Sequence, residues 1–108
     1  VVHLFRIATP DNLNMRIVAD FCLTPVGSSS PSIRKYVEMC HLVLKDFGDR
    51  IECHQHATGT NLRGEFEDII EAVKQCHEKV LGSDIKRVFS NLHIDWRTDK
   101  SSVLPRSA

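Results

Sequence analysis

The chain has 108 residues, 42% of them hydrophobic and 26% charged, which suits one globular domain and is too short for two. Its 14 basic residues balance its 14 acidic ones, so no net charge draws it to nucleic acid or to an anionic membrane. No apolar run approaches the roughly 20 residues that a spanning helix needs.

The four cysteines, Cys22, Cys40, Cys53 and Cys76, form no C-x-x-C pair. Their wide spacing reads as free thiols in a reducing compartment, and a cytoplasmic location is expected. Val1–Ala8 is short and broken by His3 and Arg6, which is a poor secretory signal. Met15 reads as a start, which makes 1–14 an N-terminal extension, 15–100 the domain and 101–108 a polar tail.

Arg16–Val26 alternates, with Ile17, Ala19, Phe21 and Leu23 on one side and Val18, Asp20, Cys22 and Thr24 on the other, the pattern of a half-buried strand. The serine-rich loop from Gly27 to Pro31 offers N-cap oxygens to a helix that runs to about Phe47, with Ile33, Tyr36, Val37, Cys40, Leu44 and Phe47 on one stripe. Gly48 stops it. A second strand is expected over Ile51–Ala57, with Glu52, His54 and His56 opposite Ile51, Cys53 and Gln55. A third, polar strand follows over Thr58–Arg63. Gly64 precedes a second helix from Glu65 to about Leu81, whose apolar stripe is Phe66, Ile69, Ile70, Val73, His77 and Val80. In the last strand Val88, Ser90, Leu92, Ile94 and Trp96 alternate with Phe89, Asn91, His93, Asp95 and Arg97.

Two helices with one apolar stripe each must bury it on the same sheet. The order strand, helix, strand, strand, helix, strand predicts an α+β fold, a ferredoxin-like sandwich: a four-stranded antiparallel sheet with both helices on one face. The other face then carries Asp20, Cys22, Thr24, His54, His56, Asn91, His93, Asp95 and Arg97. A face rich in His, Asp and Arg is not an ordinary Lys/Glu solvated surface. It suits burial in an oligomer, or a polar ligand. Unpaired edge strands argue the same way for assembly.

The chemistry-bearing residues leave several readings. The pairs Cys40-His41, Cys53-His54 and Cys76-His77 suggest metal, but neighbours on a helix or strand diverge and cannot close a tetrahedral site by themselves. His54 and His56 share a strand face and, with His93, could meet a metal or an anion. His77 reads as a core histidine donating to a backbone carbonyl or a carboxylate, and Cys40 as a small core residue. No nucleophile elbow, phosphate loop or dinucleotide fingerprint is present, so no catalytic residue is assigned and no enzyme is expected. The most site-like segment is Thr58-Gly59-Thr60 with Gly64-Glu65: a glycine in a strand admits a ligand or another backbone, and the Thr hydroxyls and Glu65 offer polar handles near the second helix's N-terminus, although a bulge followed by a helix start with an acidic first turn reads equally well. An RNA-binding module of this fold is a rival reading, weakened by zero net charge and by Phe89 being the one aromatic assigned to the open strand face.

Four segments resemble the thiamine-binding protein family, the YkoF-like group of small ferredoxin-like proteins: Ala19–Gly27 (ADFCLTPVG), His56–Glu65 (HATGTNLRGE), Cys76-His77-Glu78, and Asp95–Lys100 (DWRTDK). The resemblance spans about Arg16–Lys100. It implies a non-enzymatic protein that binds thiamine or its hydroxymethylpyrimidine half, needs no further cofactor, and assembles into homodimers or homotetramers through its sheets. The family continues after the R-T-D motif into another helix, which Ser101–Ala108 does not suggest. For such a ligand the candidate residues are Thr24, Ser28, Thr58, Gly59, Thr60, Asn61, Glu65 and Phe89, with Phe66 a further apolar contact. The polar groups would meet the edges of an aminopyrimidine, and Glu65 would favour a cationic thiazolium.

Overall fold

The computed structural model describes residues 15–99; the expected extension 1–14 and tail 101–108 lie outside the described residues. Within them the elements run β1 (Arg16–Val26), α1 (Arg34–Asp46), β2 (Ile51–His56), β3 (Gly59–Glu65), α2 (Phe66–Leu81) and β4 (Arg87–Asp95), with a 3-10 turn at Gly48–Arg50. The strands make one antiparallel sheet in the order β2-β3-β1-β4. This is the expected ferredoxin-like sandwich.

Alternation along β1 decides which side the helices cover. Ile17, Ala19 and Phe21 are buried against Val43, Leu44 and Phe47 from the α1 side and against Ile69, Ala72 and Cys76 of α2. One strand face thus touches both helices. A second small cluster, Tyr36, Val80 and Ile85, closes the core beyond it.

Three local details differ from expectation. The serines before α1 do not converge on one cap. Each hydroxyl oxygen accepts from the backbone N–H two residues on, Ser28 from Ser30 (3.2 Å), Ser30 from Ser32 (3.1 Å) and Ser32 from Arg34 (3.4 Å), and this stair of turns delays the helix to Arg34. The buried face of α2 is Ile69, Ala72, Cys76 and Val80, while Ile70 is 39% exposed. Small residues let α2 approach its neighbours closely, and a stripe chosen by bulk overlooks them. Finally, β4 ends at Asp95, and Trp96 leaves the strand to stack on Phe66 with ring centroids 5.1 Å apart.

Gly64 is fixed by packing. A Cβ there would stand 2.6 Å from the Arg50 carbonyl oxygen, closer than any side chain tolerates.

Candidate functional site

Helix α1 leaves a gap beside the β2–β3 turn. Between its inner face and the β2–β3 turn is a cavity of about 340 Å³. Phe21 and Leu23 of β1 and Tyr36, Val37, Cys40 and Leu44 of α1 supply its apolar walls. Gln55, His56, Thr58, Gly59, Thr60 and His41 bring polar groups to it. That volume falls within the range of ~300–1,000 Å³ usual for small-molecule sites, as does the pairing of apolar walls with a few polar groups.

The walls are held from outside. The Tyr36 hydroxyl donates to both carboxylate oxygens of Asp84, at 3.0 and 3.1 Å, which fixes the ring that faces the cavity. That bond is the main reason the Asp84 carboxyl sits below its ordinary range; Lys35, 3.6 Å away, adds to it. At the rim, His41 Nε2 lies 2.9 Å from Gln55 Oε1, joining α1 to β2.

The hairpin is clamped by a histidine. His56 Nε2 is 2.6 Å from Asp20 Oδ1, and His56 Nδ1 lies 3.3 Å from both the backbone nitrogen and the hydroxyl of Thr58. The Thr58 N–H can only donate, so Nδ1 is the acceptor and Nε2 carries the proton given to Asp20. The order hydroxyl, imidazole, carboxylate has the look of a nucleophile relay. Here Nδ1 is shared with the backbone of its own turn, and the network ties the hairpin to β1.

Gly59 makes this clamp possible. A Cβ at Gly59 would stand 2.8 Å from the Phe21 carbonyl oxygen, 3.3 Å from His56 Cε1 and 3.4 Å from Asp20 Oδ1. The glycine therefore admits the β1 backbone and the crossing imidazole. The close approach expected at this position is that of another backbone.

The expected site residues divide. Thr58, Gly59 and Thr60 line the cavity. Asn61 is the next residue of β3 and pairs with Asp20 and His54, which puts it on the opposite, open face. Glu65 pairs with Arg16 at the far end of β3, roughly 17 Å of strand from Thr60. There it lines a separate hollow of about 190 Å³ with Met15, Phe66, Glu67 and Asp68. The expectation that Glu65 and Asn61 join Thr58 and Thr60 around one ligand is corrected by this geometry: a strand separates its residues by face and by distance. Thr24 and Phe89 pair with each other on the open face, where Phe89 is 60% exposed. Ser28 is engaged in the serine turns. Phe66 is stacked on Trp96.

Sequence reasoning missed Tyr36, His41 and Gln55 as lining residues. Gln55 had a signal: it is a polar side chain on the helix-facing side of β2. Tyr36 looked like core, and its hydroxyl was the clue that one edge needed a partner.

A larger and shallower hollow of about 600 Å³ lies where α1 meets β2, lined by Glu38, His41, Leu42, Leu44, Lys45, Gly48, Ile51 and Cys53. It lacks the polar groups of the hairpin turn, which makes it the weaker candidate. On the open face His54 Nε2 lies 3.4 Å from Glu52, and His56 is engaged with Asp20. Among the described residues no group of three or more His, Cys, Asp or Glu side chains is placed to hold a metal ion. His77 is half-buried rather than core; as expected it bonds a backbone carbonyl, its Nδ1 donating to Val73 at 2.7 Å, and its Nε2 accepts from the Ser90 hydroxyl at 2.7 Å. No helix among the described residues is long and apolar enough to cross a membrane.

Known proteins share this fold. The chain is 36% identical over 91 residues to the UPF0045 protein MJ1052 of Methanocaldococcus jannaschii, covering 84% of this chain and 87% of that protein. It is 33% identical over 90 residues to the UPF0045 protein sll0230 of Synechocystis, covering 83% of this chain and 72% of that one. The crystal structure of MJ1052 superposes with a TM-score of 0.75 at 34% identity, over 83% of this chain and 89% of that one. A Thermotoga maritima protein provisionally assigned to thiamine biosynthesis or salvage shares the fold, with a TM-score of 0.69 at 17% identity over 82% of this chain and 90% of that one. The family described as thiamine-binding protein matches residues 19–106, which take in β1 from Ala19 onward, β2, β3, both helices and β4. On fold, on identity to relatives and on the length of this match, the chain belongs to the thiamine-binding protein family.

Proposed function

We propose that the cavity between α1 and the β2–β3 turn binds thiamine or its hydroxymethylpyrimidine half, and that the ligand is bound without being converted. One observation carries this reading: two rings, Phe21 and Tyr36, and the Thr58–Thr60 turn line one cavity whose rim holds Gln55 and His41. An aminopyrimidine is flat, with donors and acceptors on its edge. It needs apolar contact on its faces and hydroxyl or amide groups at its perimeter more than it needs charge. Membership of a family described as thiamine-binding supports the ligand class. The assignment of the Thermotoga neighbour agrees with it. Calorimetric titration with thiamine and with hydroxymethylpyrimidine tests the reading: saturable heat with either supports it, and no heat and no thermal shift at about millimolar ligand removes it.

The same reading includes assembly as a homodimer or homotetramer that covers part of the open sheet face. Phe89 is 60% exposed on that face, and the Arg63 Nε is buried without a hydrogen-bond partner. Light scattering at micromolar concentration should give a mass above that of one chain; a monomer alone would sink this part of the proposal.

A further inference from the structure

We propose that Cys40 is a thiol-modification site reached through the cavity, with Cys76 as its resolving partner: a hydroperoxide oxidises the Cys40 sulfur, and the Cys76 thiol closes it to a disulfide between α1 and α2. This goes beyond the ligand reading and holds whatever the cavity binds.

The placement of the two thiols carries the inference. Cys40 is half-buried and lines the cavity beside Tyr36 and Val37. Cys76 is fully buried on α2, directly behind it. Its thiol donates to the Cys40 carbonyl oxygen at 3.9 Å, and the Cys40 side chain packs against the core cluster that contains Cys76. Two cysteines 36 positions apart in sequence thus lie side by side where the helices pack, the thiol of one on the backbone of the other, with Cys40 open to the cavity and Cys76 closed off. Disulfides need this kind of proximity, which sequence spacing alone cannot supply.

The electrostatics give the pair a direction. Hydrogen bonding from Cys76 holds the Cys40 thiol below its ordinary range, against the opposing effect of burial. The same bond, and then burial, push the Cys76 thiol up. Thiolate is the reactive form, so the accessible sulfur is also the nucleophile. Cys53, on β2, is pushed up by burial and by Glu52, which makes it the slower competitor.

The chemistry balances. The Cys40 thiolate attacks one peroxide oxygen. The O–O bond breaks, an S–O bond forms, and the released hydroxide takes a proton to leave as water. The Cys76 sulfur then attacks the Cys40 sulfur. The S–O bond breaks, an S–S bond forms, and the hydroxide leaves as water with the Cys76 proton. Two thiols and one hydrogen peroxide become one disulfide and two waters.

The test uses the full chain treated with stoichiometric hydrogen peroxide, then digestion and peptide mass mapping. The expected product is a Cys40–Cys76 linked peptide pair, lighter by two hydrogens and reversed by a dithiol reductant. In Cys76→Ser the Cys40 sulfenic acid persists and is trapped by dimedone, and in Cys40→Ser neither the link nor a dimedone adduct at Cys76 forms. The proposal is overturned if wild-type Cys40 and Cys76 stay reduced while Cys22 or Cys53 oxidises, or if Cys40 links to Cys53 instead. The wild-type map needs no variant, so a misfolded mutant cannot hide the answer.

Discussion

The two faces of one sheet differ in what holds their side chains. On the helix-covered face, Ile17, Phe21 and Leu62 are at most 4% exposed and contact residues of both helices. On the open face, Asp20, His54, Asn61 and His93 are cross-strand neighbours at half-buried or exposed positions, and His56 reaches across to Asp20. Neighbours in one strand therefore have different purposes. Leu62 is core, Thr60 on the same side reaches the cavity, and Asn61 between them faces away. The cavity exists because the helix-covered face is not packed to the end: polar Thr60 and Gln55 replace apolar residues where β2 and β3 turn.

The contrast can be broken most forcefully at Leu62. Leu62→Ala should lower stability by about 2–5 kcal/mol, while Asn61→Ala should change it by roughly 0.5 kcal/mol or less. Chemical denaturation of both variants checks this, and similar losses would contradict the division of faces.

The glycines come next. Gly64→Ala drives a Cβ toward the Arg50 carbonyl and Gly59→Ala drives one toward the Phe21 carbonyl. Each should be destabilising by about 1–3 kcal/mol, Gly64 the more, because its neighbour is closer and both obstacles are backbone. In a domain of this size each kcal/mol lowers the melting temperature by roughly 4–8 °C. Gly59→Ala should also part His56 from Asp20, which a shift of the His56 ring signals in NMR would report.

Smaller still is the effect of the clamp itself. His56→Gln should cost about 0–1 kcal/mol, since the pair is part-exposed. A larger loss would mean that the open face contributes more than its polar contacts suggest.

The wall at Tyr36 gives a pH test. The folded-state value of Asp84 lies below its ordinary 3.8, so its bond to Tyr36 stabilises the fold fully above that pH. The contribution is lost as pH falls from 3.8 through the lower folded value. The difference in melting temperature between wild type and Tyr36→Phe should therefore shrink below about pH 3.8 and stay constant above it. A difference that grows on acidification would contradict the assignment.

Much of this was legible in the residues. The period of two over Arg16–Val26 set β1 and its buried side, and the helix stripes placed both helices on one face. Gly48 ended α1 with a positive φ of 59°, as a helix stop requires. The site was legible only in part. Thr58, Gly59 and Thr60 share a cavity because the turn and the inward face bring them there. Glu65 looked like their companion because it is near in sequence, yet a strand carries it to the far end of the sheet. Tyr36 and His41 come to the cavity from α1 and Gln55 from β2, and no local pattern in one segment announces a contact with another element. The small-residue face of α2, Ala72 and Cys76, was hidden because bulk, not smallness, marks a stripe in sequence.

The most direct test of the central claim compares adjacent residues on opposite faces of β3. Thr60→Val and Asn61→Ala would each be titrated with thiamine and with hydroxymethylpyrimidine by calorimetry, beside wild type. Losing an edge hydrogen bond that leaves a buried partner unpaired is worth roughly 1–3 kcal/mol, so Thr60→Val should weaken binding about tenfold or more. Asn61→Ala, and likewise Glu65→Gln, should leave affinity within about twofold. Loss of binding in Asn61→Ala with full affinity retained in Thr60→Val would place the ligand on the open face and contradict the account.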